Sequence, residues 1–341
     1  MTHEELPSYD QAPAGSIRFN TDSKKLEVYI LGPVEFGTTP NGIWMEVDSW
    51  SPDLMTGGAR GLIMGFNAPN YGTNYFNIAT TGNASSFGSL SAGRYFNSSV
   101  ADRTRVICDG GEGGLTTMDY ATIASTSNFI DFGDCYSHRS GTGVNNSTRG
   151  VFGGGNDFST YGFNILEYVT IQSTGNSVDF GDLAVVGTNS AGGASSPTRG
   201  VFMGGYVSPT INNTIQYITT ATLGNAADFG DLTVAHTFAA SGSNAIRGIQ
   251  AGGQTPTNTI DYITFSTLGN AIDFGDLTQT RTHLAGCASR TRFVACGGET
   301  PTKVNTMEYI QIMTTGNAID FGDMTGTYYV LAGNSNDNGG L

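Results

Sequence analysis

The chain has 341 residues, of which 15 are Lys or Arg and 29 are Asp or Glu, for a formal net charge of −14. That balance argues against nucleic acid as a partner, because phosphate binding needs clustered cations. The 49 glycines, with abundant Asn, Thr and Ser, suit short strands joined by tight turns, and the regular spacing of apolar residues excludes a disordered chain.

At the N-terminus, Met1 to Asp10 holds Glu4 and Glu5 and no apolar core, so it does not read as a secretory signal. No apolar run of about 18 residues follows, so no transmembrane helix is expected. Residues 1–51 are predicted to form a small β-rich module. Ser16-Ile17-Arg18-Phe19-Asn20, Leu26-Glu27-Val28-Tyr29 and Ile43-Trp44-Met45-Glu46-Val47 read as a three-stranded meander, with Thr21–Lys25 as its first turn. So small a sheet is not expected to be stable alone, and it should dock on the rest of the chain, on copies of itself or on another protein.

From residue 59 to 335 an internal repeat dominates. A Phe recurs at Phe87, Phe132, Phe180, Phe229, Phe274 and Phe321, at intervals of 45, 48, 49, 45 and 47 residues. Twelve residues before each stands a Tyr (Tyr75, Tyr120, Tyr168, Tyr217, Tyr262, Tyr309), and four before each an Asn (Asn83, Asn128, Asn176, Asn225, Asn270, Asn317). An Arg opens the preceding segment in every copy: Arg60, Arg105, Arg149, Arg199, Arg247 and Arg292. The repeats are bounded at about 59–90 plus 325–335, 91–134, 135–183, 184–232, 233–277 and 278–324.

Each repeat reads as four strands, a to d from the inside outward. Strand b is the Arg-Gly-Val-Phe type, as in Arg199–Gly205. Strand c alternates with period two, as in Ile260–Phe265. Strand d is the Asp-Phe-Gly-Asp segment, as in Ala271–Asp276. A Gly-Asn pair between c and d predicts a tight turn, with Ser127-Asn128 in its place once. The Arg-to-Phe distance varies from 27 to 31 residues, so insertions are assigned to the b–c connection. Strand a is expected to end in small residues (Ala191-Gly192-Gly193, Ala239-Ala240-Ser241, Leu284-Ala285-Gly286), which suit a crowded axis. The first repeat lacks such a strand before Arg60. Tyr328-Tyr329-Val330-Leu331-Ala332-Gly333 supplies one, so the C-terminal strand is predicted to complete the first sheet and close a six-bladed β-propeller.

The Gly-Gly ending strand b, the Tyr in strand c and the aromatic in strand d resemble kelch-type propellers over about residues 59–335. The usual strand-d Trp is Phe here, and the Ser-x-Asp-x-Gly-x-x-Trp box of sialidases is absent. Separately, Gly15-Ser16-Ile17-Arg18-Phe19-Asn20-Thr21-Asp22, Leu26-Glu27-Val28-Tyr29 and Trp44 resemble a short module of tailed-bacteriophage virion proteins, especially fibres and other appendages. That resemblance covers about residues 14–47 and departs from the family in the longer Gly32–Gly42 connection. It implies a virion structural protein without placing it on the tail, baseplate, neck or capsid.

Ten of the 29 acidic residues lie in the Asp-Phe-Gly-Asp segments (Asp131, Asp134, Asp179, Asp182, Asp228, Asp231, Asp273, Asp276, Asp320, Asp323). They suggest calcium, but no known loop spacing matches, and turns in which Asp caps backbone N–H groups are the preferred reading. Arg94, Arg139, Gly187, His236, Arg281 and Tyr328 share one position and would form a partly cationic ring at one channel mouth, an anion or glycan site if not local ion pairs. The repeated Arg of strand b is assigned a structural task, hydrogen bonding to loop carbonyls. Phe66, Tyr71, Phe158, Tyr161, Phe163 and Tyr206 in and near the b–c loops form an aromatic candidate contact surface.

The four histidines, His3, His138, His236 and His283, do not form the two-His, two-Tyr copper set of galactose-oxidase-type propellers, and no Ser-His-Asp grouping can be drawn. No enzyme activity and no cofactor are expected. Cys108, Cys135, Cys287 and Cys296 have no metal spacing and read as buried thiols, with a Cys287–Cys296 disulfide the less favoured alternative. The expected role is a virion appendage that displays a propeller to host surface or other virion proteins, with no membrane insertion. A homo-oligomer, with a trimer suggested by the small N-terminal sheet, is expected. The alternative is a non-viral carbohydrate-binding propeller.

Overall fold

The computed structural model of the chain describes residues 13–20, 25–31, 42–46, 59–65, 72–112, 115–136, 140–156, 162–185, 190–254, 257–329 and 332–341. The chain divides into two units, Met1–Gly57 and Gly58–Leu341. Among the described residues both are built of antiparallel β-sheet, with one short 3-10 turn at Asn338–Gly340.

In the first unit Ile17–Asn20, Lys25–Leu31 and Gly42–Glu46 pair in chain order as the expected meander. Phe19 lies opposite Leu26, and Val28 opposite Met45. Period-two alternation therefore puts Ile17, Phe19, Leu26, Ile30 and Met45 on one face. All five are 41% to 65% exposed. The other face is tied together by its side chains: Arg18 Nε donates to Glu27 Oε2 at 2.6 Å, and the guanidinium lies 4.3 Å over the Trp44 ring. Hydrogen bonds from Asn20 and Arg18 hold the Glu27 carboxyl below its ordinary value.

The second unit contains six four-stranded sheets among its described residues, one per repeat. Strands a to d of the second sheet are Ser98–Ala101, Arg105–Asp109, Thr117–Thr122 and Ile130–Asp134. Those of the third are Thr142–Asn145, Arg149–Gly153, Ile165–Thr170 and Val178–Asp182. The fourth has Gly192–Ser195, Arg199–Val207, Thr210–Thr219 and Ala227–Asp231, and the fifth Ala240–Ser243, Arg247–Ala251, Thr257–Thr264 and Ile272–Arg281. The sixth is Ala285–Ala288, Arg292–Cys296, Thr306–Gln311 and Ile319–Asp323.

In the first sheet strand a comes from the chain's end. Ala332–Ser335 pairs antiparallel with Arg60–Met64, which continues to Gly72–Asn77 and Ser85–Ser89. The partner is as expected, but the described strand covers only the Ala332-Gly333 end of the predicted segment; Tyr328 and Tyr329 lie outside it, and Val330 and Leu331 lie outside the described residues. The same applies to the other a strands: the small residues open the strand instead of ending it. The reason is steric. A Cβ on Gly333 would sit 2.4 Å from the Gly286 carbonyl oxygen, so neighbouring a strands meet backbone to backbone at this position.

The repeated Tyr, Phe and Arg form one packing unit. Each Tyr meets its Phe edge to face at 5.8–6.1 Å, a geometry contributing about 0.5–1.5 kcal/mol beyond area burial. Each strand-b Arg stacks on the same Tyr at 4.3–5.0 Å. Its Nη1 reaches past it to a carbonyl of the next sheet, as in Arg247 to Ile312 O at 3.0 Å and Arg292 to Ala79 O at 2.8 Å. Hydrogen bonding to carbonyls is therefore the task this Arg performs, with Tyr stacking added.

The Gly-Asn pair does not make the tight c–d turn expected of it. Strands c and d are joined by a wider loop, since Tyr262 pairs with Ile272. The Asn side chain instead bonds the preceding sheet: Asn270 Oδ1 accepts the Asp231 N–H at 3.1 Å, and Asn317 Oδ1 that of Asp276 at 3.1 Å. The Asp-Phe-Gly-Asp segment contains a β-bulge. Asp131 faces Asp119 while Gly133 faces Met118, so Phe132 is the extra residue and turns into the core. Gly133 has φ +144°, and a Cβ there would lie 2.4 Å from the Gly175 carbonyl oxygen of the next repeat.

Apolar clusters fill the space between consecutive sheets. One joins Val100, Ile107 and Phe132 of the second sheet to Phe152 and Val169 of the third, and another joins Ile63 and Phe76 of the first to Val294 and Phe321 of the sixth. All four cysteines are buried free thiols, so the Cys287–Cys296 disulfide is not formed.

Candidate binding face

The connections from strand d to the next strand a carry three repeated devices. The first is a polar residue immediately before each repeated Tyr: Asn74, Asp119, Glu167, Gln216, Asp261 and Glu308, all buried. Each receives the connection leaving the preceding sheet. Asp261 accepts the Thr233 N–H at 3.0 Å and its hydroxyl at 2.6 Å, and Asn74 accepts the Thr325 N–H at 3.1 Å. These residues are not among the sequence-predicted candidates, although a polar side chain at every copy of an inward strand-c position marks them in the sequence. Burial raises the Asp261 carboxyl, and its Thr233 hydrogen bonds oppose the rise.

The second device replaces the expected cationic ring. Arg94 and Arg281 are fully buried and do not face a channel mouth. Arg94 Nη1 donates to Thr117 O at 2.6 Å and Nη2 to Asp119 at 3.1 Å; Arg281 Nη1 donates to Gly297 O at 2.8 Å and Nη2 to Glu308 at 2.6 Å. A buried guanidinium must be paired, and the strand-c carboxylate pairs it. His236 occupies the same position, is buried, and among the described residues has no hydrogen-bond partner on either ring nitrogen. Burial lowers its pKa to about 4. Tyr328 is half-buried, while Arg139 and Gly187 lie outside the described residues.

The third device is a chain of left-handed residues one to three positions further on. Phe96, Ser140, Ser190, Phe238 and His283 all have φ between 54° and 61°. Their backbones are linked in sequence: Ser140 N–H donates to Phe96 O at 2.6 Å, Ser190 to Ser140 O at 2.7 Å, Phe238 to Ser190 O at 3.1 Å and His283 to Phe238 O at 2.8 Å. Non-glycine residues hold this conformation only where their surroundings enforce it. The five residues line one recess together with Asn97. Beneath it lies a polar cavity lined by strand-a residues, among them Ser99, Thr142, Ser241 and Asn334, and by Asn338 of the C-terminal turn.

Rings gather at this recess. Phe238 stacks on His283 at 4.2 Å, Phe96 lies 5.8 Å from Phe238, and Tyr329 meets His283 edge to face at 5.8 Å. All four are half-buried. His283 Nδ1 lies 3.4 Å from Glu299, and burial outweighs that carboxylate to leave its pKa lowered.

Of the aromatic candidates, Phe163 is half-buried and meets Tyr136 edge to face at 5.5 Å, while Tyr206 lies in the long hairpin of the fourth sheet opposite Ile211. The structure does not bring these two to the recess. Phe66, Tyr71, Phe158 and Tyr161 lie outside the described residues, as does His138. The Asp-Phe-Gly-Asp carboxylates are exposed or half-exposed; the repeated bond is made by the backbone N–H of the second Asp to the neighbouring Asn, so backbone capping by their carboxylates is not the recurrent feature. Among the described residues the group with metal-ligand proximity is Asp109, Cys135 and Glu167, which includes none of the ten. No described helix is long and apolar enough to cross a membrane. Comparison of the sequence with protein-family models and with curated proteins returns no match.

Proposed function

We propose that the six sheets are the blades of a closed propeller, and that this propeller is the displayed binding module of a tailed-phage virion appendage. Closure is supported by contacts that run through every pair of neighbours, including the sixth with the first: Arg292 to Ala79 O, Asp323 N–H to Asn83, and Thr325 to Asn74. The a strands follow the same cycle, with Ser99 Oγ donating to Gly333 O at 3.3 Å.

The observation that carries the binding role is the contrast between scaffold and mouth. The Arg, Tyr, Asn and Phe positions are occupied identically in all six copies. The left-handed position keeps its backbone and changes its side chain, from Phe to Ser to His. A rigid frame presenting varied side chains at one edge is how binding surfaces are built. The appendage role rests on the resemblance of residues 14–47, and the exposed apolar face of the meander suits attachment to other copies or other virion proteins.

Cryo-EM of purified virions, with peptide mass spectrometry for this chain, tests the reading. Six-bladed discs at a defined, stoichiometric position are expected. Absence of the chain from mature particles overturns the virion role and favours the non-viral carbohydrate-binding propeller.

A further inference from the structure

We infer that the recess lined by Phe96, Phe238 and His283, with Tyr329 edge-on to His283 beside it, is a saccharide site that takes one neutral sugar ring against its aromatic side chains. The inference deepens the binding role proposed above and rests on it. Three half-buried rings from three different repeats, Phe96, Phe238 and His283, converge where the backbone is held left-handed, and Tyr329 of a fourth repeat meets His283 edge to face, so the arrangement is built rather than incidental. Opposite them the wall is hydroxylic, with Ser140 and Ser190 at the equivalent positions. The cavity beneath is lined by Ser, Thr and Asn side chains and glycine backbone, a set that both donates and accepts.

Charge selects among ligands. Among the described residues the lining of the recess holds no Lys, Arg, Asp or Glu: Arg94 and Arg281 are buried in ion pairs, and Lys303 lies outside it, 4.2 Å over the Tyr329 ring. Glu299, 3.4 Å from His283 Nδ1, is likewise not among the residues that line the recess. What the recess offers is apolar ring faces beside uncharged hydroxyls and amides. A pyranose presents the complement, a face of C–H groups and an edge of hydroxyls, and an aliphatic ligand would leave the polar wall unmatched.

The test uses the full-length chain on an immobilised glycan array and on intact host cells, with Phe238→Ala and Phe96→Leu variants and thermal unfolding of each. Bound glycans with at least about tenfold weaker binding in both variants, at unchanged melting temperature, are expected. Titration of the wild-type protein with the corresponding free methyl glycoside should shift the His283 ring proton resonances, which keeps the site testable if a variant fails to fold. Glycan binding that leaves both variants and the His283 resonances unaffected overturns this site. Cell binding with no glycan bound also overturns it, yet leaves the binding-module reading standing. Binding to neither glycans nor cells counts against both.

Discussion

Asn83 Oδ1 accepts the backbone N–H of Asp323 at 3.0 Å, joining the first sheet to the sixth across 240 residues of sequence. The same bond joins Asn128 to Ser89, Asn176 to Asp134, Asn225 to Asp182, Asn270 to Asp231 and Asn317 to Asp276. One side chain thus makes one inter-sheet bond six times, and the seam between chain ends is made like the others. Asn225→Ala and Asn83→Ala should each lower stability by about 0.5–1.5 kcal/mol, the net value of one such bond. Urea unfolding of the two variants checks it, and similar losses at the seam and at an ordinary junction are expected.

The seam depends on the C-terminal strand. Removing residues 332–341 strips Ala332–Ser335 from Arg60–Met64 and uncovers fully buried Leu62 and Met64. The truncated chain should unfold with lower cooperativity and self-associate through the freed strand edge, measured by calorimetry and light scattering.

The buried pair Arg281–Glu308 sets up a double-mutant test. Glu308→Leu leaves a guanidinium unpaired in the interior and should cost about 3–5 kcal/mol. Combining it with Arg281→Met should recover most of that loss, because two apolar side chains of similar volume need no partner. Chemical denaturation of both single variants and the double variant measures the coupling.

Acid sensitivity should centre on His236. Its folded pKa of about 4 lies below the ordinary 6.5, so between those values the unfolded chain binds more protons than the folded one. The contribution is fully present above pH 6.5 and is lost as pH falls through about 4, reaching about 3 kcal/mol. His236→Phe should flatten the melting-temperature profile over that window relative to wild type.

Gly133→Ala should destabilise more than a surface Gly→Ala change. Its φ of +144° and the Gly175 carbonyl oxygen 2.4 Å from the new Cβ both oppose the methyl group. A loss of about 1–3 kcal/mol is expected in urea unfolding.

Position-by-position repetition makes the four-stranded units, their all-β class and the strand supplied by the C-terminus legible in the sequence itself, because spacing and period-two alternation are local properties of a chain. The Arg of strand b was legible for the same reason: six identical residues imply one task performed six times. What no local pattern encodes is which neighbour a side chain meets. The Gly-Asn pair looked like a hairpin turn because its preferences are those of a turn, yet tertiary packing places the Asn against the preceding sheet. Arg94 and Arg281 looked like a channel lining until burial with Asp119 and Glu308 decided otherwise. The aromatic recess was invisible in sequence for a related reason. Phe96, Phe238, His283 and Tyr329 stand in four different repeats, without a common residue type, and only the meeting of the sheets brings their rings together.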